Sequence, residues 1–433
     1  MKDYEIFDLG DVKLLSGKSL RSAKITYKTY GTLNKVSDNV VVMPTFYTGT
    51  HKRNEGFFGT GRAIDPSKYF IVSINMFGNG LSSSPSNASS PQDGPRFPDI
   101  TLWDNINCQH KLLTEKLKIK KIALVTGWSM AGCQAYQWAA QFPNMVKSIL
   151  PFCASAKTSI HNHVFLEGVK AALVADKNWN NGDYKSPPVA GLKAFGRVYA
   201  GWAFSQDFYR EALFKKLGFK TVEDLLQDWE NDHVKNWDAN NLLAKLKTWQ
   251  TADISSGPIY NNDFKKALKA ISAKAILMPC NQDLYFRTKD NEIEAKYTEL
   301  YVKETMPKKN NDRFITDSIC FNACRLAQRV NAKAIITMTH SGYTSYKISS
   351  QRPESAIYVF SSNKKLLSTL SLVWGVATFY YDKTISTDHT IADIHHLLKN
   401  EKLVESGDLI INTASIPLGE GGKTNMLKLS YIE

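Results

Sequence analysis

The chain holds 433 residues, 43% of them apolar, with 54 Lys and Arg against 41 Asp and Glu and a formal net charge of +13. That length is too great for one ordinary domain and suits two, and the apolar share supports large buried cores. The surplus positive charge is spread among acidic, polar and apolar neighbours instead of forming a stripe, which argues against nucleic-acid binding and favours anionic small molecules as partners.

The chain opens on MKDYEIFDLGD, too acidic and too poor in apolar residues for a signal peptide. No apolar run reaches the roughly 18 residues of a membrane span, so a cytoplasmic protein without a membrane partner is expected. From about residue 20 to 150, short apolar β-rich runs alternate with helix-length amphipathic segments, the pattern of a largely parallel sheet with helices on its faces. Val40 to Met43, Tyr69 to Ile74 and Ile122 to Thr126 are predicted strands buried on both sides. Residues 80–98, rich in Ser, Pro, Asn and Gly, are predicted as a long loop, and such loops tend to lie over functional sites.

Over 160–270 the character changes: Trp, Phe and Tyr cluster, and helices are predicted at Thr221 to Trp229 and Asn240 to Thr248, together suggesting a helical cap over the sheet. A strand resumes at Ala275 to Cys280. Past the basic, polar stretch Pro307 to Asp312 a second β/α series begins, with strands at Ala332 to Met338, Ala356 to Phe360 and Leu409 to Ile411. The expected organisation is a first domain over 1–300, capped at about 160–270, and a separate α/β domain over 312–433. Of six cysteines only Cys320 and Cys324 lie close, facing one way on a predicted helix; two thiols do not make a zinc site, so both are read as core residues and no metal is expected.

The most informative stretch is KIALVTGWSMAGCQAYQWAAQFP, where a buried strand runs through Gly127-Trp128-Ser129-Met130-Ala131-Gly132 into an Ala-rich helix stopped near Pro143. Strand, sharp turn and helix form the setting of a nucleophile elbow with Ser129 as nucleophile. The turn is strained and the two backbones pass closely, so small residues must flank the serine, and Gly127, Ala131 and Gly132 supply them. The plainer alternative makes Ser129 a helix cap. An oxyanion needs two aimed N–H groups. One is expected from Met130 and the other from the turn Phe46-Tyr47-Thr48-Gly49, with Tyr47 best placed.

The segments ITYKTYGTLN, TGTH, GRAIDPSKYFIVSINMFGNGLSSSPSN, FPDITLWDNINCQHKLLTEKLKIKKI and GWSMAG, spread over roughly residues 10–297, closely resemble the homoserine O-acetyltransferase family of the α/β-hydrolase fold. The resemblance implies that Ser129 is acylated by a small ester or by acyl-CoA with no further cofactor, and that a carboxylate and a histidine complete a triad. Asp283, in AILMPCNQDLYF, matches the carboxylate, which would hold the histidine tautomer. The family's histidine follows one further strand in a Gly-His context, and no such segment follows Asp283 here, so the acyl-transfer half is expected to be impaired. His161 and His163, in SAKTSIHNHVF, are substrate-pocket candidates, and His51 behind the oxyanion turn is a further candidate base. Lys157 stands where the family has an amino-acid-binding arginine, offering a point charge in place of a planar fork, which widens the range of acceptors.

Residues from about Arg313 to Tyr431 resemble the C-terminal domain of pyruvate kinase, on FITDSICFNACRLAQRVNAKAIITMTHSGYTSYKISSQRPESAIYVFSSN and SGDLIINTASIPLGEGGKTNMLKL. Thr339, His340, Ser341, Gly342 and Thr344 form a turn between strand and helix where hydroxyls and N–H groups converge on a phosphate-sized space. By resemblance this loop would bind a sugar phosphate or nucleotide effector, with Ser415 to Thr424 as second effector loop and subunit contacts making a homo-oligomer. Nothing in 1–300 resembles the kinase barrel, so no pyruvate kinase activity is expected. Three readings stand: a serine acyltransferase or esterase, a non-catalytic phosphometabolite-binding or oligomerisation protein, and a fusion of two truncated genes.

Overall fold

A computed structural model describes residues 2–298, 307, 312–383, 386–416 and 423–433, and the chain divides into two units, Met1–Leu300 and Tyr301–Glu433. The expected border between about 298 and 312 falls largely outside the described residues. In the first unit the described strands are β1 (Glu5–Lys13), β2 (Ser19–Tyr30), β3 (Val40–Pro44), β4 (Phe70–Asn75), β5 (Leu124–Trp128), β6 (Ser148–Phe152) and β7 (Lys274–Ala275), in sheet order β1-β2-β4-β3-β5-β6-β7. From β4 to β7 neighbours run parallel, and β3 is buried at every residue, as a run of Val with no polar alternation requires.

The sheet departs from the expected one at both edges. β2 pairs antiparallel with β4 and with β1, a strand not predicted. Register shifts between Asp8 and Gly10 and between Gly10 and Val12 break the two-residue alternation by which β1 would have been read. At the other edge the strand expected over Ala275 to Cys280 shortens to Lys274–Ala275, although Ile276 and Met278 still donate to Ile149 and Pro151 carbonyls on β6. Pro279, with no N–H, ends the run. Ile122 makes only an isolated bridge to Val146, so β5 starts later than predicted.

The helices α1 (His51–Asn54), α2 (Leu102–Lys111) and α3 (Met130–Gln141) precede β6. Between β6 and β7 lie α4 (Ile160–Val174), α5 (Val189–Ala203), α6 (Gln206–Arg210), α7 (Val222–Asn236), α8 (Ala239–Gln250) and α9 (Phe264–Lys269), and α10 (Thr288–Tyr297) closes the unit. α7 begins at a capping box in which Thr221 and Asp224 satisfy each other's N–H groups. Residues 80–98 carry only turns and a short 3-10 helix at Gly94–Arg96, with Ser82 and Ser84 buried under their own hydrogen bonds. One apolar core holds Val42, Val125, Tyr136 and Trp138; another, built from Tyr47, Met130, Phe165, Phe195, Trp249 and Phe286, joins the turn-bearing end of the strands to α4, α5 and α8.

The second unit has β8 (Ala334–Met338), β9 (Ala356–Ser361), β10 (Val376–Tyr380), β11 (Leu409–Ala414) and β12 (Met426–Tyr431) in order β10-β9-β8-β11-β12, parallel except for β11 with β12. Its helices are α11 (Phe314–Val330), α12 (Tyr343–Ser350), α13 (Lys364–Leu370) and α14 (Thr387–Asn400). The edge strands β10 and β12 were not predicted, for neither is buried on both sides. Cys320 and Cys324 lie in the core between α11 and α12, their thiols against the Thr344 and Ile348 carbonyls. Among the described residues no helix is long and apolar enough to cross a membrane.

Candidate active site

β5 carries the chain to Ser129, whose φ of 53° and ψ of −132° are conformations an L-residue adopts only when its surroundings impose them. Here Ser129 N–H donates to the Phe152 and Cys153 carbonyls at 3.1 and 3.0 Å, fastening the turn to the end of β6. The flanking residues must be small: a Cβ on Gly127 would sit 2.5 Å from that of Ala131, and one on Gly132 would sit 2.5 Å from that of Ala154. α3 therefore starts hard against β5 and β6, and Ser129 is left half-exposed at its N-terminus.

The turn after β3 is fixed residue by residue. Thr45 accepts from Met76 N through its hydroxyl and from Gln134 Nε2 through its carbonyl. The Phe46 carbonyl takes the Gly49 N–H at 3.0 Å and Lys245 Nζ at 3.0 Å, while the Tyr47 hydroxyl donates to the Leu242 carbonyl. Phe46 packs edge-on against Trp128, the residue before Ser129, at 4.9 Å between ring centres. The N–H groups of Tyr47 and Met130, both buried, have no acceptor among the described residues. Met130 N–H belongs to the first turn of α3, which has no intrahelical acceptor, and Tyr47 lies on the turn after β3.

Asp283 follows β7 and turns back on itself, its Oδ1 accepting from Tyr285 and Phe286 N–H at 2.8 and 2.9 Å. Burial pushes its carboxyl above the ordinary value, opposed by these N–H groups and by the neighbouring Cys153 thiol. Burial and Asp283 push that thiol up to about 11. Cys153, fixed by its N–H to the Met278 carbonyl, escaped the sequence reading because a lone cysteine behind a strand gives no spacing signal.

Among the described residues no histidine bonds to Ser129 or Asp283. His51, a candidate base by sequence, is buried with Nε2 3.3 Å from Asp3 and Nδ1 3.1 Å from Asn75, because the N-terminal strand folds over it. His161 and His163 are exposed near the start of α4, His161 with its ring against Trp202. His110 stacks on Phe142 and His233 binds the Trp229 carbonyl within α7. Lys157 is half-exposed and ion-paired with Asp253 at 2.8 Å. Among the described residues no group of three or more His, Cys, Asp or Glu could hold a metal ion.

In the second unit Thr339 Oγ1 accepts from Gly342 N at 2.9 Å, shaping the turn, and Gly342 takes the positive φ of 79° that it needs. His340 and Ser341 are exposed, and buried Thr344 shares a 2.6 Å hydrogen bond with Thr424. Most of the Ser415 to Thr424 loop lies outside the described residues.

A family model for the alpha/beta hydrolase fold matches residues 38–274, and one for the pyruvate kinase alpha/beta domain matches 317–430. An ethyl acetate hydrolase from Pseudomonas veronii is 34% identical over 296 residues, covering 68% of this chain and 84% of that protein. A homoserine O-acetyltransferase from Chlorobium chlorochromatii is 29% identical, covering 65% of this chain and 82% of its own. Among solved structures, an acetylester hydrolase from Corynebacterium glutamicum superposes with a TM-score of 0.66 at 32% identity, over 68% of this chain and 85% of that one.

Proposed function

This chain belongs to the α/β-hydrolase fold family, and from that premise we propose that its first unit is a serine esterase or acyltransferase for small acyl esters, slowed by the lack of a triad histidine. The observation that carries the reading is Ser129 itself, held at φ 53° on a turn that only small neighbours permit, with two buried and unpaired N–H groups on the elements beside it. Strain of this kind costs about 1–3 kcal/mol and persists where function requires it.

In the proposed reaction Ser129 Oγ attacks the ester carbonyl carbon, and the Tyr47 and Met130 N–H groups receive the oxyanion. As the tetrahedral species collapses, the C–O bond to the alcohol breaks and the serine proton leaves with the alcohol, passing through solvent for want of a positioned base. Water then releases the acid, or an alcohol acceptor takes the acyl group; acyl-CoA is an alternative donor. Asp283, its carboxyl accepting from two N–H groups, meets no imidazole among the described residues. Loss of a triad member leaves about 10³- to 10⁴-fold acceleration over water from the oxyanion site and binding alone. The neighbours named as acetyl-ester hydrolases favour small acyl groups. Exposed His161 and His163 and the paired Lys157 remain pocket candidates for the acceptor side.

The test is intact mass after exposure to a fluorophosphonate. A single, slowly formed adduct that disappears in Ser129→Ala is expected; an unlabelled parent chain would sink the proposal.

A second reading concerns the other unit, where the turn from Thr339 to Gly342 precedes the N-terminus of α12. We propose that it takes the phosphate of a sugar phosphate or nucleotide. Such a ligand at saturating concentration should raise the melting temperature of the unit, and the double substitution Thr339→Ala, Ser341→Ala should remove the shift. No shift with any sugar phosphate or nucleotide tried would refute it.

A further inference from the structure

Resting on the Ser129 reading, we propose that Lys245 is a positioning residue that aims the Tyr47 N–H at the developing oxyanion by gripping the carbonyl of the same peptide unit. In a planar trans peptide the C=O and N–H point in opposite directions, so fixing the Phe46 carbonyl also fixes the Tyr47 N–H. Lys245 projects from α8, is 1% exposed, and places Nζ 3.0 Å from the Phe46 oxygen. One helical turn earlier, Leu242 takes the Tyr47 hydroxyl at 2.8 Å, so the same helix holds that peptide unit and the side chain that follows it.

A purely structural account of this lysine fails on its cost. Among the described residues no carboxylate pairs with it, and the rings of Tyr47 and Trp237 stand 5.8 and 5.6 Å from its ammonium. Burial drives its pKa well below the ordinary lysine value, with the Arg53 charge adding to the effect. An unpaired ammonium inside a protein is destabilising, and a methionine of similar shape would fill the space without that penalty. Nor does the carbonyl require the ammonium, for it already accepts the Gly49 N–H. What Lys245 adds is a second donor on the oxygen, which draws density along the peptide and strengthens the N–H as a donor. The fold also clears a path for the stem at Gly78, where a Cβ would lie 2.8 Å from Lys245 Cγ.

The experiment compares Lys245→Met and Lys245→Arg with the parent chain, reading the rate of fluorophosphonate addition to Ser129 by intact mass, well below each protein's thermal midpoint, with folding confirmed by circular dichroism. Weakening one oxyanion donor should slow labelling of Lys245→Met by about ten- to hundredfold, with its thermal midpoint equal to or above the parent's, while Lys245→Arg keeps a substantial part of the rate. Labelling of Lys245→Met within about twofold of the parent, or equal slowing in both variants, would overturn the proposal and leave the Ser129 reading standing. A parent chain that takes no label would overturn both.

Discussion

Gly132→Val is expected to abolish labelling of Ser129 and to lower the stability of the first unit by more than about 3 kcal/mol. At this position a Cβ would meet the Ala154 Cβ at 2.5 Å, the Gly127 carbonyl oxygen at 2.8 Å and Pro151 Cα at 3.4 Å. None of these atoms is the far end of a flexible side chain, so the valine is accommodated only if α3 moves away from β5 and β6. Such a shift carries Met130 N–H off its line. It also strains the bond from Gln134 to the Thr45 carbonyl, undoing both sides of the proposed oxyanion site together. Urea titration of the purified chain, with labelling measured in parallel, checks both effects. Gly168→Ala is the matched control: on the exposed side of α4 with nothing within 4 Å, it should stabilise by about 0.5–1 kcal/mol and leave labelling unchanged. A Gly132→Val chain that labels like the parent would mean that the close approach of α3 is not what holds the serine.

The close approach was legible in the sequence because its chemistry is local. Gly127, Ser129, Ala131 and Gly132 lie within six residues, and a strand-turn-helix pattern surrounds them. Central strands such as β3 were equally legible, since burial on both faces writes itself as an unbroken apolar run. What escaped was long-range. Lys245 lies on the buried face of α8 with Leu242, Leu246 and Trp249, and the sequence shows a charged residue on an apolar stripe but not the carbonyl, 199 positions away, that it meets. Cys153 reached Asp283 only because the chain after β7 keeps following β6. The histidines illustrate the reverse error. His51 was attractive by its place after the oxyanion turn, yet β1 and the residues before it, not foreseen as a strand, bring Asp3 against its ring.

The pH dependence of stability should carry the mark of Glu294, a fully buried carboxyl on α10 for which the sequence offers no signal. Its Oε2 accepts from Tyr136 Oη at 2.6 Å and Asn291 Nδ2 at 2.7 Å, and its Oε1 from Ala156 N–H at 2.6 Å, tying α10 to α3 and to the loop after β6. Burial pushes its pKa from 4.5 up to about 7, against the pull of those three donors. A carboxyl that ionises later in the folded chain than in the unfolded one binds the extra proton in the native state, so it withdraws stability as pH rises. The loss begins near the unfolded value, continues to about 7 and then levels off. Relative to Glu294→Gln, which has no proton to lose, the parent should lose about 3 kcal/mol across that window. Chemical denaturation at closely spaced pH values measures the difference directly. The glutamine amide in turn faces the Asn291 amide donor, so at low pH, where the parent is protonated, the variant should be the less stable of the two by about 1–3 kcal/mol. Parallel profiles for the two proteins would show that the three donors hold Glu294 ionised throughout, and the tie between α10 and α3 would then be a charged one.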